Sequence, residues 1–423
     1  MQLRSSYFIQ NGMFLLFDCN NFFASCEQVF RPDWRRRPLV VLSNNDGCVI
    51  SRSPEAKAMG IAMGEPYFKC RERLQAANAV VCSANFSLYS DLSDRIMRIL
   101  EDSLPETQQY SIDEAFAKVA EGDWAPFCRD LRKKIRRWTG VTVSVGIAPT
   151  KTLCKLANET AKHTPNIQGV CDLSTAEQWQ PVLQHAPVED VWGVGRKLAP
   201  RLHALGIHTA AALAETSLTR LRKVFGVHGE RLALELRGVS CLDDEEHTVR
   251  GQVMVSRSLK EGIKELPVLR EALCRFVEKA GRILRGEGLM ASHLFVILRT
   301  SRYNESDNLY SVHQGISLPC YSDDTRLFTH YATSLLESIY RPGFEYKKVG
   351  ILLAGLEELH NVQPTFDNPT VGPNKLMQVL DHLQQSGHNI GFANRGQSTP
   401  WHKEFLSRCY TTCWDDIPET SAD

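Results

Sequence analysis

The sequence predicts an α+β chain of several domains, and three observations carry that prediction. With 423 residues the chain exceeds one ordinary hydrophobic core, so roughly three to five domains are expected. Residues 13–180 mix short apolar strand runs with capped amphipathic helices. Residues 248–355 read strand, helix, strand, strand, helix, strand, the βαββαβ order of a ferredoxin-like unit.

Residues 13–18 form an apolar strand ending in Asp18. "NNFFASCEQVF" follows, where Asn20 or Asn21 can cap a helix that turns Phe22, Phe23 and Cys26 inward. "RPLVVLS", the turn "NNDG" and the return "CVISR" make a hairpin. Ser53 as N-cap and Pro54 at the first helical position open a short helix closed by Gly60. "QYSIDEAFAKV" (109–119) is a strand, 129–138 a basic helix, 140–149 a strand, and "TKTLCKLANETAKH" a helix ended by Pro165. At 187–215 two short amphipathic helices hinge at "GVG", where Gly193 and Gly195 let backbone N–H groups approach a phosphate, with Arg196 and Lys197 beside them. This reads as a helix-hairpin-helix or as an ordinary αα-corner. In the βαββαβ unit the strands fall at 248–258, 289–300, 308–317 and 345–355, the helices at 266–286 and 323–340. Beyond Leu359 the chain turns Asn-, Pro-, Gln- and Gly-rich, with one helix at "NKLMQVLDHLQQ", and reads as a linker or partner-binding tail.

Composition narrows the function less than position does. Lys and Arg total 49 and Asp and Glu 49, so net charge neither demands nor excludes a nucleic-acid partner. The basic run "RDLRKKIRRW" carries Leu131, Ile135 and Trp138 at helical spacing, which makes its charges the solvated face of an amphipathic helix. No apolar run nears the roughly 18 residues of a membrane span, so the expected address is the cytoplasm. The 13 cysteines include no C-x-x-C pair, which reads as reduced, buried thiols and not as a zinc site.

Two features carry chemistry. Asp113 and Glu114 are adjacent carboxylates inside an apolar strand. Strand neighbours point to opposite faces, so both reach one site only if the strand ends or turns there. With Asp18 they supply the hard oxygens that two divalent cations need to clamp the attacking and leaving oxygens of a phosphoryl displacement. A surface or helix-cap role for the adjacent pair is the plainer alternative. The second feature is Lys151, Lys155 and Lys162, which fall within about 40° on one helix face with Asn158 and look either to water or to an anion.

"MFLLFDCNNFFASCEQVFRP", "LVVLSNNDGCVISRSPEAKAMGI", "YSIDEAF", "VGIAPTKTLCKLAN" and "DVWGVGRKLAPRLHALGI", in this order, resemble the Y-family translesion DNA polymerases. "SNNDGCV" and "SRCYTTCWDDIP" point to the UmuC branch, the catalytic subunit of DNA polymerase V and its plasmid relatives. The resemblance runs from residue 13 to about 418. It implies a right hand: an N-terminal extension (1–12), palm (13–33 and 83–180), small fingers (34–82), helix-hairpin-helix thumb (181–243), βαββαβ little finger (244–357) and C-terminal partner-binding tail (358–423). It implies that Asp18, Asp113, Glu114 and the backbone carbonyl of Cys19 hold two Mg2+ ions. Phe22 and Phe23 meet the nucleotide, Phe23 as steric gate where many UmuC-type chains carry Tyr. Lys162 matches the triphosphate-binding lysine, and Lys57, standing where Arg is common, and Arg52 line the same pocket. Pro54 replaces a family tyrosine and carries no contact. Gly193, Gly195, Arg196 and Lys197 in the thumb and Arg257 in the little finger would contact DNA. Gln363 and Phe366 survive from a sliding-clamp motif that lacks its leucine. The implied activity is error-prone, lesion-tolerant synthesis in the SOS response on primer-template DNA with dNTPs, alongside a processed UmuD-type dimer, a RecA-type recombinase filament and the clamp, in the cytoplasm and at the nucleoid when active. The sequence shows no second carboxylate set for proofreading. Rival readings are a self-sufficient DinB-type polymerase, a non-catalytic DNA-damage scaffold and a two-metal nuclease.

Overall fold

The computed structural model describes residues 12–242, 250–301, 309–362, 375–386, 388, 390–396 and 403–417. The chain divides into two compact units, one taking residues up to Glu245 and from Glu404 on, the other Glu246–Lys403.

The first unit opens with β1 (Gly12–Cys19) and α1 (Phe22–Phe30). Then come β2 (Leu39–Leu42), β3 (Val49–Arg52), α2 (Pro54–Ala58), α3 (Tyr67–Ala76) and β4 (Val80–Ser83). α4 (Phe86–Glu101), β5 (Thr107–Gln109), β6 (Glu114–Ala120), α5 (Ala125–Thr139), β7 (Val143–Ala148), α6 (Lys151–His163) and β8 (Val170–Asp172) follow. The five-stranded sheet runs β5-β6-β1-β7-β8. β1 is central and buried on both faces, as its unbroken apolar run requires. Met13, Leu15 and Phe17 pack with residues of α4 and α5, whereas Phe14 and Leu16 pack with Leu153, Leu156 and Ala157 of α6. β2 pairs antiparallel with β3, as expected of the hairpin, and parallel with β4. Val40, Leu42, Val49, Ile61 and Leu74 form the small core of this region. Ser53 caps α2, its Oγ accepting from the N–H of Ala56 at 3.3 Å.

Helices α7 (Ala176–His185), α8 (Ala199–His203), α9 (Ala210–Glu215) and α10 (Leu218–Leu236), the last kinked at Gly226, complete this unit. Where two α-helices were expected to flank "GVG", the first is a single 3-10 turn at Val188–Asp190.

The second unit is β9 (Gln252–Ile263), α11 (Leu266–Gly286), β10 (Leu289–Thr300), β11 (Ser311–Ser322), α12 (Thr325–Ile339) and β12 (Tyr346–Glu358). Its order is the expected βαββαβ, in an antiparallel sheet β11-β10-β12-β9. The third strand begins and ends later than the 308–317 read from sequence.

The chain beyond 358 is packed where it is described. α13 (Lys375–Gln385) buries Met377, and its Asp381 takes a bidentate pair from Arg285 at 2.6 and 2.9 Å. Residues 404–417 return to the first unit: Leu406 bridges Ser83 at the end of β4, and Tyr410 stacks on Phe30 at 5.0 Å. Scattered apolar anchors (Met377, Phe405, Tyr410) hold this otherwise polar segment down.

Two local expectations fail. Trp138 is 62 % exposed, because the inward stripe of α5 runs Cys128, Leu131, Ile135, Thr139, and the indole lies over Lys134 instead. Neither asparagine caps α1 through its side chain: Asn21 adopts the left-handed conformation, and Asn20 Oδ1 accepts from Ser144 Oγ.

Candidate active site

The period of two along β1 places the site. Asp18 has the parity of Phe14 and Leu16, so its side chain faces α6. Antiparallel register sets Glu114, the first residue of β6, directly opposite Asp18. On α6 the lysine stripe meets them: Lys162 Nζ lies 2.9 Å from Asp18 Oδ2, and Lys155 Nζ 2.6 Å from Glu114 Oε2. The stripe therefore looks at anions. Three rings surround the Lys155 ammonium, those of Tyr110, Phe116 and Trp192 at 5.0, 5.9 and 5.6 Å. Lys151 is buried beside Phe14 and Phe116 and donates to Gln108. Asn158, expected on the lysine line, instead turns to the sheet and donates to the carbonyls of Leu16 and Ser144.

Burial raises the Asp18 carboxyl to about 7, against the pull of Lys162 and with the hydrogen bond it donates to Glu114 adding to the rise. Burial pushes Glu114 up too, but the bonds to Asp18 and Lys155 outweigh it and hold Glu114 below the usual carboxylate range. The two carboxylates thus share a proton and titrate as a pair. Lys162 is held above the ordinary lysine range, its desolvation outweighed by Asp18.

Asp113 stands just before β6, in the bend 111–113, so the condition for adjacent carboxylates to serve one site, a strand end, is met. Its backbone carbonyl accepts the N–H of Cys19 at 2.9 Å, and its carboxylate accepts Ser111 Oγ at 2.6 Å. Among the described residues no three Asp, Glu, His or Cys side chains stand together as a ready metal site. The donor set nonetheless fits a hard divalent cation. Asp18, buried, and Glu114, half-buried, are paired carboxylates whose mutual repulsion a cation relieves, and Asp113 lies on the neighbouring backbone, its carboxylate turned to Ser111. Burial pushes the Cys19 thiol well up, so the sulfur stays protonated and the backbone carbonyl is the group Cys19 can offer a hard cation.

Lys57 feels the charges of Lys162 and Asp18. Burial, then the charges of Arg52 and Lys162, push Lys57 below the ordinary lysine range. Arg52 donates to the Ile61 carbonyl at 2.6 Å. Phe23 is half-buried, stacked on Tyr89 at 4.6 Å and edge-on to Phe86 at 5.8 Å. Phe22 is 3 % exposed within the core, so its ring has no surface for a nucleotide and only its backbone remains as a contact.

Gly193 has φ +96°, and a side chain there would press on Leu232 and His228. Gly195 has no such demand: a Cβ would meet nothing within 4 Å, and Arg196 and Lys197 beside it are exposed. In the second unit Arg257 pairs across to Val349, and burial with the charges of Arg257 and Arg282 pushes Lys279 down. Gln363 and Phe366 lie outside the described residues.

Sequence reasoning assigned no role to Lys155, although the stripe named it, nor to Trp192, Tyr89 or Ser111. Only the register of β1 with β6, which the sequence does not show, brings Glu114 to the same helix as Asp18 and so to Lys155. Nothing in the sequence points to Tyr89.

Comparison with known proteins shows the family. The impB/mucB/samB family model matches residues 17–159, its C-terminal domain 250–366 and its HHH motif 177–207, and a domain of unknown function matches 374–419. Protein ImpB and Protein UmuC of Salmonella typhimurium are each 42 % identical, covering 96 % of this chain and 99 % of theirs. DNA polymerase IV of Moorella thermoacetica is 30 % identical over 81 % of this chain and 85 % of its own. In fold, the chain is similar to a Y-family DNA polymerase chimera of Dbh and Dpo4 (TM-score 0.68, 22 % identity, covering 82 % of this chain and 99 % of that one). With that match to ImpB and UmuC along nearly its whole length, the chain belongs to the impB/mucB/samB family and is a UmuC-type Y-family DNA polymerase.

Proposed function

We propose that the chain is an error-prone, template-directed DNA polymerase that copies past damaged bases in the SOS response. The observation that carries this reading is the meeting of two charge sets where neighbouring strands face one helix: the carboxylates Asp18 and Glu114 opposite each other, with Lys162 paired to the first and Lys155 to the second. Such a bed suits a polyphosphate with its cations. Asp18, Asp113, Glu114 and the Cys19 carbonyl would hold two Mg2+ ions, which when bound activate the primer hydroxyl and neutralise charge on the triphosphate. Lys162, Lys57 and Arg52 bind phosphate oxygens, and the first-turn backbone of α1 at Phe22 adds N–H donors. The Phe23 ring leaves no room for a 2′-hydroxyl.

The domain roles follow the right-hand reading, with residues 34–82 as fingers too small to wrap a base pair and hence tolerant of lesions. Gly195, Arg196 and Lys197 take one stretch of DNA backbone and Arg257, with Lys279 and Arg282, another. Phosphate contacts are blind to sequence, as a general copying enzyme requires. A UmuD-type dimer, a RecA-type filament and the clamp are its proposed partners. Identity to UmuC along almost the entire chain favours this over the DinB reading.

Running-start extension over an abasic template, with Mg2+, four dNTPs and the partners added stepwise, tests the proposal. Bypass that vanishes in Asp113→Asn supports it. Bypass surviving in Asp113→Asn overturns the metal role of Asp113, and no incorporation under any condition overturns the proposal in favour of a scaffold.

A further inference from the structure

Residues 404–417 fall in the segment matched only by a domain of unknown function, and what they touch bears on the sugar gate. Phe405 and Ser83 exchange hydrogen bonds: Ser83 N–H donates to the Phe405 carbonyl at 2.9 Å, and Phe405 N–H donates to Ser83 Oγ at 3.0 Å. Next along, Asn85 Nδ2 donates to Ser407 Oγ at 3.0 Å and to the Arg408 carbonyl at 3.2 Å. Asn85 is also the N-cap of α4, its Oδ1 accepting from Leu88 N–H. The strap therefore grips the first turn of α4, and that turn carries Phe86 and Tyr89, the two rings against Phe23.

The link runs through a buried carboxyl as well. Glu27 is 0 % exposed, and burial raises its pKa above the usual carboxylate range. Its Oε1 accepts both Tyr89 Oη at 2.7 Å and Ser407 Oγ at 3.0 Å. Burying a carboxyl is unfavourable unless it is hydrogen-bonded, and such buried bonds rigidify the groups they join. Here they fix the Tyr89 ring from its hydroxyl end while its face stacks on Phe23 at 15°.

We propose that the C-terminal strap is a positioning element for sugar selection: Ser407, through Asn85 and the Glu27–Tyr89 pair, holds the rings that set the height of Phe23. This rests on the gate reading of Phe23. In the strap's absence the first turn of α4 keeps its fold but gains freedom, and the gate ring can yield to a 2′-hydroxyl.

The test is single-nucleotide incorporation by the full chain with primer-template, Mg2+ and its partners, giving kcat/KM for a dNTP and for the matching rNTP. Phe23→Ala calibrates the gate and should collapse the ratio. Ser407→Ala and Tyr89→Phe should each lower it about threefold to tenfold, the worth of one neutral hydrogen bond, through a rise in the rNTP value. The double variant should fall short of the product of the two, because they share one acceptor. Ser407→Thr, which keeps the hydroxyl, should restore the wild-type ratio. If Phe23→Ala lowers discrimination but Ser407→Ala, melting at the wild-type temperature, leaves it unchanged, the strap is only structural and this inference is overturned while the gate stands. If Phe23→Ala leaves discrimination unchanged, both fall. Should Tyr89→Phe fold poorly, Ser407→Ala decides alone.

Discussion

Gly146→Ala tests whether the packing of α6 on the sheet is what brings the lysines to the carboxylates. A Cβ on Gly146 would stand 2.2 Å from the Cys154 carbonyl oxygen and 2.7 Å from the Asn158 nitrogen, both backbone atoms of α6. Restoring ordinary contact at about 3.4 Å requires the helix to withdraw by about 1 Å. That movement stretches Cys154 Sγ–Gly146 O (3.0 Å) and Asn158 Nδ2–Ser144 O (2.8 Å), which pin the helix to β7. Overpacking of this kind costs about 1–3 kcal/mol, and with rigid backbone as the neighbour we expect the upper end. Lys155 and Lys162 travel with the helix, so their 2.6 and 2.9 Å pairs open. Misplacement by about 1 Å lowers turnover roughly a hundredfold. Urea unfolding gives the first quantity and single-turnover incorporation by the folded fraction gives the second. Unchanged stability, or lost stability with turnover per folded molecule intact, refutes the reasoning.

Further outcomes follow from the same geometry. Lys162→Glu should raise the dNTP KM about tenfold to a hundredfold, the worth of a charge-assisted bond, while DNA affinity measured by anisotropy stays near wild type; the reverse order contradicts its assignment. Because burial holds Asp18 protonated up to about 7, a cation must displace that proton, so apparent Mg2+ affinity in a titration of activity should strengthen as pH rises from 6 to 7 and level off above; affinity independent of pH would remove Asp18 from the ligand set. Gly195→Ala meets no atom and no left-handed backbone, so melting should not move, yet DNA affinity should drop about fivefold, since a methyl stands where a phosphate would approach. Unaltered affinity removes Gly195 from the DNA contacts.

Much of this was legible because it is local. The cap at Ser53, the hairpin of β2 and β3 and the long amphipathic helix Leu266–Gly286 follow from turn residues and periodicity alone. The convergence of Asp18 and Glu114 is half legible: strand parity fixes their face, but only register shows that they are directly opposite. Trp138 misled because it sits three residues after Ile135, while α5 closes its inward stripe at Thr139, one residue later. Asp113 has a rotamer set by Ser111, two residues back, and no pattern encodes a rotamer. The strap was illegible for a different reason: Asn85 and Ser407 are 322 positions apart, and polar residues that meet at such separation leave no periodic trace.

The central claim is that the side chains of Asp18, Asp113 and Glu114 jointly hold divalent cations under the incoming nucleotide. Counting Mn2+ by electron paramagnetic resonance, with primer-template and a non-hydrolysable dNTP bound, reads it directly. The account predicts two ions per chain in the wild type, fewer in Asp113→Asn, and fewer again when Asp18 or Glu114 is neutralised as well. A count that stays at the wild-type value after all three are replaced would contradict it.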